Sequence, residues 1–488
     1  MTQDFSSAGS AIQKSMQLAA EQRSNRHPTE KARTYKNPER SLIALAILLG
    51  VALIVGGGGV RYGLANLVVQ LTALALLACY REAFFSYWKK APASLNILVA
   101  LSIALPVLHL VPLPESVWTQ LPGRSLAADA REASGYHGWA SASLDHSRTL
   151  VALSGLIAPL TVLVLGWTVV REHLAMLGLI VVAMGVMNFL LGIPQILSTD
   201  TLTSFYPETP MPGVLFGTFA NRNSTGVFLV CALAFAAVLP VKFNHPMVLP
   251  IRVCICILLV TAIVLTRSRT ALVLASLPFG LVGLKAVYAL IIDKSSAAET
   301  GRGRYIIGMS VLFAGAVTAA ILLAAPGRVS DTLERFEGDA NPRAYIWEDS
   351  LYVGDRYWPV GAGMGTFDEV FQIDESLENM AARRPGRAHN DYIEIAIEAG
   401  VPGLALIAAW LVLIGWFTWK ARLSAFRWEA WCGSVVLFAC ALQSVTDYPL
   451  RNQSMLVLAA FALVLLARAQ PGFSADDAGT TRRERTPS

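Results

Sequence analysis

The sequence predicts an all-α polytopic membrane protein: about twelve transmembrane helices and one large helical loop on a single face. Three observations carry this. The 488 residues are 54% hydrophobic and only 15% charged, where soluble domains carry about 25% charged residues. Apolar runs of span length, about 17–25 residues, recur along the chain. Lys and Arg then fall unevenly on the two faces that alternation of those runs creates.

Taken in order, residues 1–40 are polar and basic and read as a cytoplasmic tail without packed structure. Their polarity leaves no apolar core near the start to serve as a cleavable signal. Apolar runs follow at about 42–60, 62–80, 93–112, 149–169, 173–192, 220–240, 247–266, 270–291, 305–325, 400–418, 429–446 and 449–467. Residues 41–325 thus hold the first nine spans and 400–467 the last three, with a C-terminal tail at 468–488. The first run carries Gly56 to Gly59, a break or a close-packing point. With the N-terminus in the cytoplasm, 24 of the 39 Lys and Arg lie on the cytoplasmic side and the 15 on the other side are all Arg, as the positive-inside rule requires. Two outer loops remain, 113–148 and 326–399. The first has no legible pattern. The second is long enough for a small helical subdomain.

Composition also excludes some classes. A net charge of +5 is too small to suggest a nucleic-acid partner. The six Cys lie in or beside apolar runs, and Cys254-Ile-Cys256 has no second Cys or His cluster to complete a metal site. The thiols read as small hydrophobes. No metal or cofactor is expected.

Four stretches concentrate the polar residues that chemistry needs. They are Gly217-Thr-Phe-Ala-Asn-Arg-Asn223, Thr266-Arg-Ser-Arg-Thr270, Asn341-Pro-Arg-Ala-Tyr-Ile-Trp347 with Pro359-Val-Gly-Ala-Gly-Met-Gly365, and His389-Asn390 followed by Gly400 and Gly403. On spacing alone, the last is a polar helix entering a membrane, with small residues that let a neighbour pack closely. All four fall on the outer face of this topology. In this order they resemble the O-antigen ligase and polymerase family of bacterial membrane glycosyltransferases. The likeness spans about 215–405 and weakens towards 467.

The resemblance implies a multi-pass protein of the bacterial inner membrane whose active site faces the periplasm. It implies an undecaprenyl-diphosphate-linked glycan as donor and either lipid A–core or a second lipid-linked glycan as acceptor. An acceptor hydroxyl attacks the anomeric carbon, the diphosphate leaves, and the anomer inverts. His389 becomes the candidate base, since imidazole exchanges a proton near neutral pH. Arg222, Arg267 and Arg269 become candidate diphosphate ligands, because a guanidinium stays charged and binds phosphate oxygens in a planar fork. Arg343, Arg387 and Asn390 complete the candidate substrate-binding set. Isolated interfacial Arg residues have another reading, snorkelling to lipid headgroups. Asp447 and Arg451, flanking Tyr448-Pro449, read as a helix-end ion pair. Glu394 and Glu398, four apart, would repel if both were exposed.

A twelve-helix secondary transporter or lipid-linked glycan flippase is the competing class. The chain has no clear duplication between halves, and its mid-span positions are nearly free of ionisable residues apart from Lys285.

Overall fold

The computed structural model describes residues 38–197, 205–206, 211, 213–240, 245–291, 343–380 and 385–470. The run at 305–325 and both tails beyond these limits lie outside them. The described residues are mostly helical, with one short antiparallel pairing of Pro112–Leu113 and Ala140–Ser141.

The helices are α1 (Pro38–Val55), α2 (Gly63–Cys79), α3 (Arg81–Lys90), α4 (Ala93–Leu110), α5 (Glu115–Trp118) and α6 (Ser125–Ala133). Next come α7 (His146–Ser154), α8 (Ile157–Gly166), α9 (Arg171–Leu197), α10 (Arg222–Val238), α11 (Val248–Leu265), α12 (Arg269–Leu274) and α13 (Ser276–Ile291). The loop helices α14 (Ala344–Tyr357) and α15 (Phe367–Asp374) precede α16 (Asp391–Ala421), α17 (Arg427–Gln443) and α18 (Gln453–Ala467).

Six helical stretches among the described residues are long and apolar enough to cross a membrane, or seven if α2 and α3, bent by 83°, form one span. Twelve spans are not confirmed: the run at 305–325 lies outside the described residues, and α10, α17 and α18 are shorter than the helices counted. α10 is buried from Ser224 almost to its end, and α18 from Gln453 to Ala467. Both are apolar on every side because other helices surround them, and both are short, with 17 and 15 residues. Hydropathy cannot separate a helix enclosed by protein from one enclosed by lipid.

The first apolar run ends where its glycines begin. α1 stops at Val55, and Gly57 then bridges Phe219 as a short parallel pairing. Gly56 accepts from the Ser454 amide, so this break joins α1 to the start of α18.

A second break organises the outer end of α16. Gly400 leaves helical geometry (φ 54°, ψ −141°), and a Cβ there would sit 2.0 Å from the Pro359 carbonyl oxygen. Pro402 cannot donate to Glu398, four residues earlier. The freed groups pair with the Pro359–Gly365 segment instead. Val401 N donates to Pro359 O (2.9 Å), Ala362 N to Ile397 O (2.8 Å) and Gly363 N to Glu398 O (2.9 Å). Gly400 thus admits a crossing strap.

The 113–148 loop grips the strap from the other side. Buried Arg124 donates to Gly361 O (2.9 Å) and Leu144 N to Ala362 O (2.9 Å), and on the following helix α7 Thr149 Oγ1 donates to Met364 O (2.8 Å). Burial lowers the Arg124 pKa to about 10, and its cost is offset by the carbonyls of Pro122, Ala142 and Gly361 and by the Tyr357 ring, 5.6 Å away. α14 and α15 pack on the strap around a small core of their own: Ile346, Val353, Tyr357, Phe367, Val370, Phe371, Ala388 and Ile397.

Candidate active site

The turn Ser444–Tyr448, between α17 and the 3₁₀ turn Pro449–Arg451, is where the chemically interesting segments meet. His389 Nδ1 lies 3.3 Å from Asp447 Oδ1. Asn221 Nδ2 donates to both Asp447 oxygens (3.2 and 3.0 Å). Thr270 Oγ1 is 3.2 Å from Thr446 Oγ1, and Arg343 donates to the Thr446 carbonyl. Four segments far apart in sequence are thereby pinned to five consecutive residues.

Each segment is held for a local reason. Asn221 caps α10, its side-chain oxygen accepting from Asn223 N (2.9 Å), and this sets Arg222 on the first turn. The loop before it is threaded by two buried amides on α9. Asn188 Oδ1 accepts from Thr218 N (2.8 Å), and Gln195 Oε1 from Phe216 N and Gly217 N (3.1 and 2.8 Å). Gly217 has φ +59°, and a Cβ there would fall 2.0 Å from Asn188 Oδ1, so only glycine fits. Ser268 caps α12 with Arg269 as its first residue. Arg267 takes φ +52°, uncommon for a residue with a side chain. Arg267 and Arg269 are both exposed and Arg222 is half-buried.

His389 also has positive φ, +53°. The strain is held by fixed neighbours. Trp347 Nε1 donates to Ala388 O (2.8 Å), the Ala388 amide donates to Glu394 Oε1 (3.0 Å), and Asn390 caps α16 by accepting from Tyr392 N and Ile393 N (2.9 and 3.1 Å). The oxygen of Asn390 thus serves the helix end. The imidazole is about one-third exposed and leans on the Tyr448 ring, with centroids 5.1 Å apart.

Asp447 is almost wholly buried. Burial pushes its carboxyl pKa up, but the hydrogen bond and charge of His389, the Asn223 amide and Arg343 together hold it below the usual carboxylate value. A carboxylate at Nδ1 selects the tautomer with the proton on that nitrogen and leaves Nε2 as an acceptor.

The expected Asp447–Arg451 ion pair gives way to other partners. Asp447 pairs with His389, while Arg451 reaches Asp391 Oδ1 (3.2 Å), Glu394 Oε2 (3.3 Å) and Glu398 Oε2 (2.9 Å). The cause is local. Pro449–Arg451 forms a 3₁₀ turn, which sends the two side chains to different neighbours. It also eases the Glu394–Glu398 repulsion, because Arg451 contacts both carboxylates and Arg387 brings a second positive charge to Glu394. Arg387, expected to face substrate, donates to Glu394 Oε2 (3.0 Å) and lies 6.0 Å from the Tyr448 ring centre. Among the described residues no cluster of His, Cys, Asp or Glu is arranged to hold a metal ion.

The sequence reading missed the His389–Asp447 pair and the Asn221 bridge. The available signal was topological: Asp447 sits on the same face as His389, at the start of a helix break.

Residues 254–408 match the family model described as O-antigen ligase. This confirms the family resemblance read from the motifs. The match covers three of the four stretches and leaves 217–223 outside. No curated protein matches the chain.

Proposed function

Proceeding from that match, we propose that the protein is an inverting glycosyltransferase of surface-polysaccharide assembly, acting as ligase or polymerase on the periplasmic face of the inner membrane. The donor is a glycan on undecaprenyl diphosphate. The acceptor is a hydroxyl of lipid A–core or of a second lipid-linked glycan. What supports the reading most is the His389–Asp447 pair fixed to the segments that carry Arg222, Arg269 and Arg343.

His389 Nε2 takes the proton of the acceptor hydroxyl as its oxygen attacks the anomeric carbon. The bond from that carbon to the diphosphate oxygen breaks, and undecaprenyl diphosphate leaves with the electron pair. Asp447 holds the imidazole and balances its positive charge once protonated. Arg222, Arg267 and Arg269 bind the phosphates and stabilise the charge that grows on the leaving oxygen. Asn390 contributes by orienting His389.

The sidedness follows from the Lys and Arg distribution. An impermeant thiol reagent added from the periplasm labels Leu377→Cys and spares Leu423→Cys, both sites being well exposed; the opposite pattern places the site in the cytoplasm.

Fork geometry separates phosphate binding from snorkelling. Lys keeps the charge but loses the bidentate match. Arg222→Lys and Arg269→Lys therefore each lower glycan transfer by at least about tenfold, some 1.4 kcal/mol of transition-state stabilisation. Full-length glycan at wild-type yield from all three single Lys variants, Arg267→Lys included, would reduce the cluster to an interface anchor.

A further inference from the structure

We propose that Arg451 is a positioning residue for His389, acting by fastening the backbone on both sides of it to the turn that carries Asp447. The inference rests on the reading of His389 as the base.

The contacts form two routes. On one side of His389, Arg451 Nε meets Asp391 Oδ1 (3.2 Å). Asp391 Oδ2 accepts from Ser444 Oγ (2.9 Å), and the Asp391 amide donates to Ser444 O (2.9 Å). Ser444 begins the turn that ends in Asp447 and Tyr448. On the other side, Arg451 pairs with Glu394 Oε2 (3.3 Å), and Glu394 holds both the Ala388 amide and the Arg387 guanidinium (3.0 Å each). Residues 387, 388 and 391 are thus all tied, directly or through one carboxylate, to a single guanidinium. His389 and Asn390 lie between them.

A third contact reaches the strap. Arg451 Nη1 donates to both Glu398 oxygens (3.2 and 2.9 Å), and Glu398 Oε1 and its carbonyl accept from Phe367 N (3.4 Å) and Gly363 N (2.9 Å). Arg451 therefore spans the α16 segment from just after His389 to just before the Gly400 kink. The side chain is 13% exposed, and those of Glu394 and Glu398 are fully buried. The fork can serve three carboxylates at once, which a Lys ammonium on a single stem cannot do.

The positive φ of His389 gives the network its purpose. Nothing in an isolated chain holds a side-chain-bearing residue in that conformation, so the surrounding contacts must do so. Loosening them lets the imidazole drift from Asp447 while the diphosphate ligands on α10 and α12 stay in place.

The test measures kcat and KM for Arg451→Gln and Glu394→Gln, each with His389 intact and with His389→Ala. The donor is an undecaprenyl-diphosphate-linked glycan purified from the host's own membranes. With His389 present, Arg451→Gln lowers kcat about a hundredfold, the scale of an ångström-level misplacement, and leaves KM for the donor within about threefold. In the His389→Ala background the same change has no further effect, because its route of action is gone. Glu394→Gln keeps the side-chain shape and shows the same pattern with a smaller loss, so the inference stays testable if Arg451→Gln does not accumulate. Equal losses in both backgrounds, or a loss confined to KM, would overturn it in favour of a purely structural network. Full activity of His389→Ala alone would instead remove the base and this inference with it, a result distinct from the other two.

Discussion

Replacing His389 with Ala lowers glycan transfer by about 10²–10⁴-fold, the usual contribution of a general base, while the protein still accumulates in the membrane. The imidazole is about one-third exposed and rests on the Tyr448 ring, so its loss opens a space that water can reach. The Asn390 cap and the Glu394 contacts to Ala388 and Arg387 use other atoms and survive the change. Transfer is read as product formed by purified protein in nanodiscs, beside a thermal-melting control. Activity within threefold of wild type, at normal expression, would take His389 out of the mechanism.

Asp447→Asn has the second-largest expected effect, also about 10²–10⁴-fold, because an amide no longer selects the imidazole tautomer or balances its charge. The side chain is buried and accepts from Asn221 through both oxygens. A carboxamide has only one acceptor oxygen, so its NH₂ must face Asn221 or the imidazole. If it faces the imidazole, Nδ1 becomes the acceptor and Nε2 carries the proton, the wrong arrangement for a base. KM for the donor changes little, since Asp447 acts through His389 and Asn221, neither of them a proposed phosphate ligand. A loss confined to KM would show that Asp447 shapes the donor site instead.

Much of the fold was legible because bilayer-length apolar runs leave a plain trace. Eleven of the twelve runs fall on described helices. What sequence could not reveal is which of those helices are enclosed by protein, as α10 and α18 are. The outer site was legible as a set of segments. Arg222, Arg269, Arg343 and His389 lie on segments that converge on one turn, though nothing in their spacing shows it. The partners were not legible. Asp447 and Arg451 are four apart and of opposite charge, so a local pair was the natural reading. Only the 3₁₀ turn at Pro449 and the α16 carboxylates, some sixty residues earlier, divert them. The same holds for the Asn390 cap and the Glu394 contact with Arg387, which only the tertiary structure brings together.

The most direct test of the central claim is a transfer assay in sealed proteoliposomes. Purified protein is supplied with undecaprenyl-diphosphate-linked glycan and an acceptor glycolipid from the same host, and both lipid products are followed. The account predicts a new glycan–acceptor linkage of inverted anomeric configuration, formed in step with free undecaprenyl diphosphate and lost in His389→Ala. Donor that crosses the bilayer with its diphosphate linkage intact, with no new linkage formed, would contradict it and identify a lipid-linked glycan transporter instead.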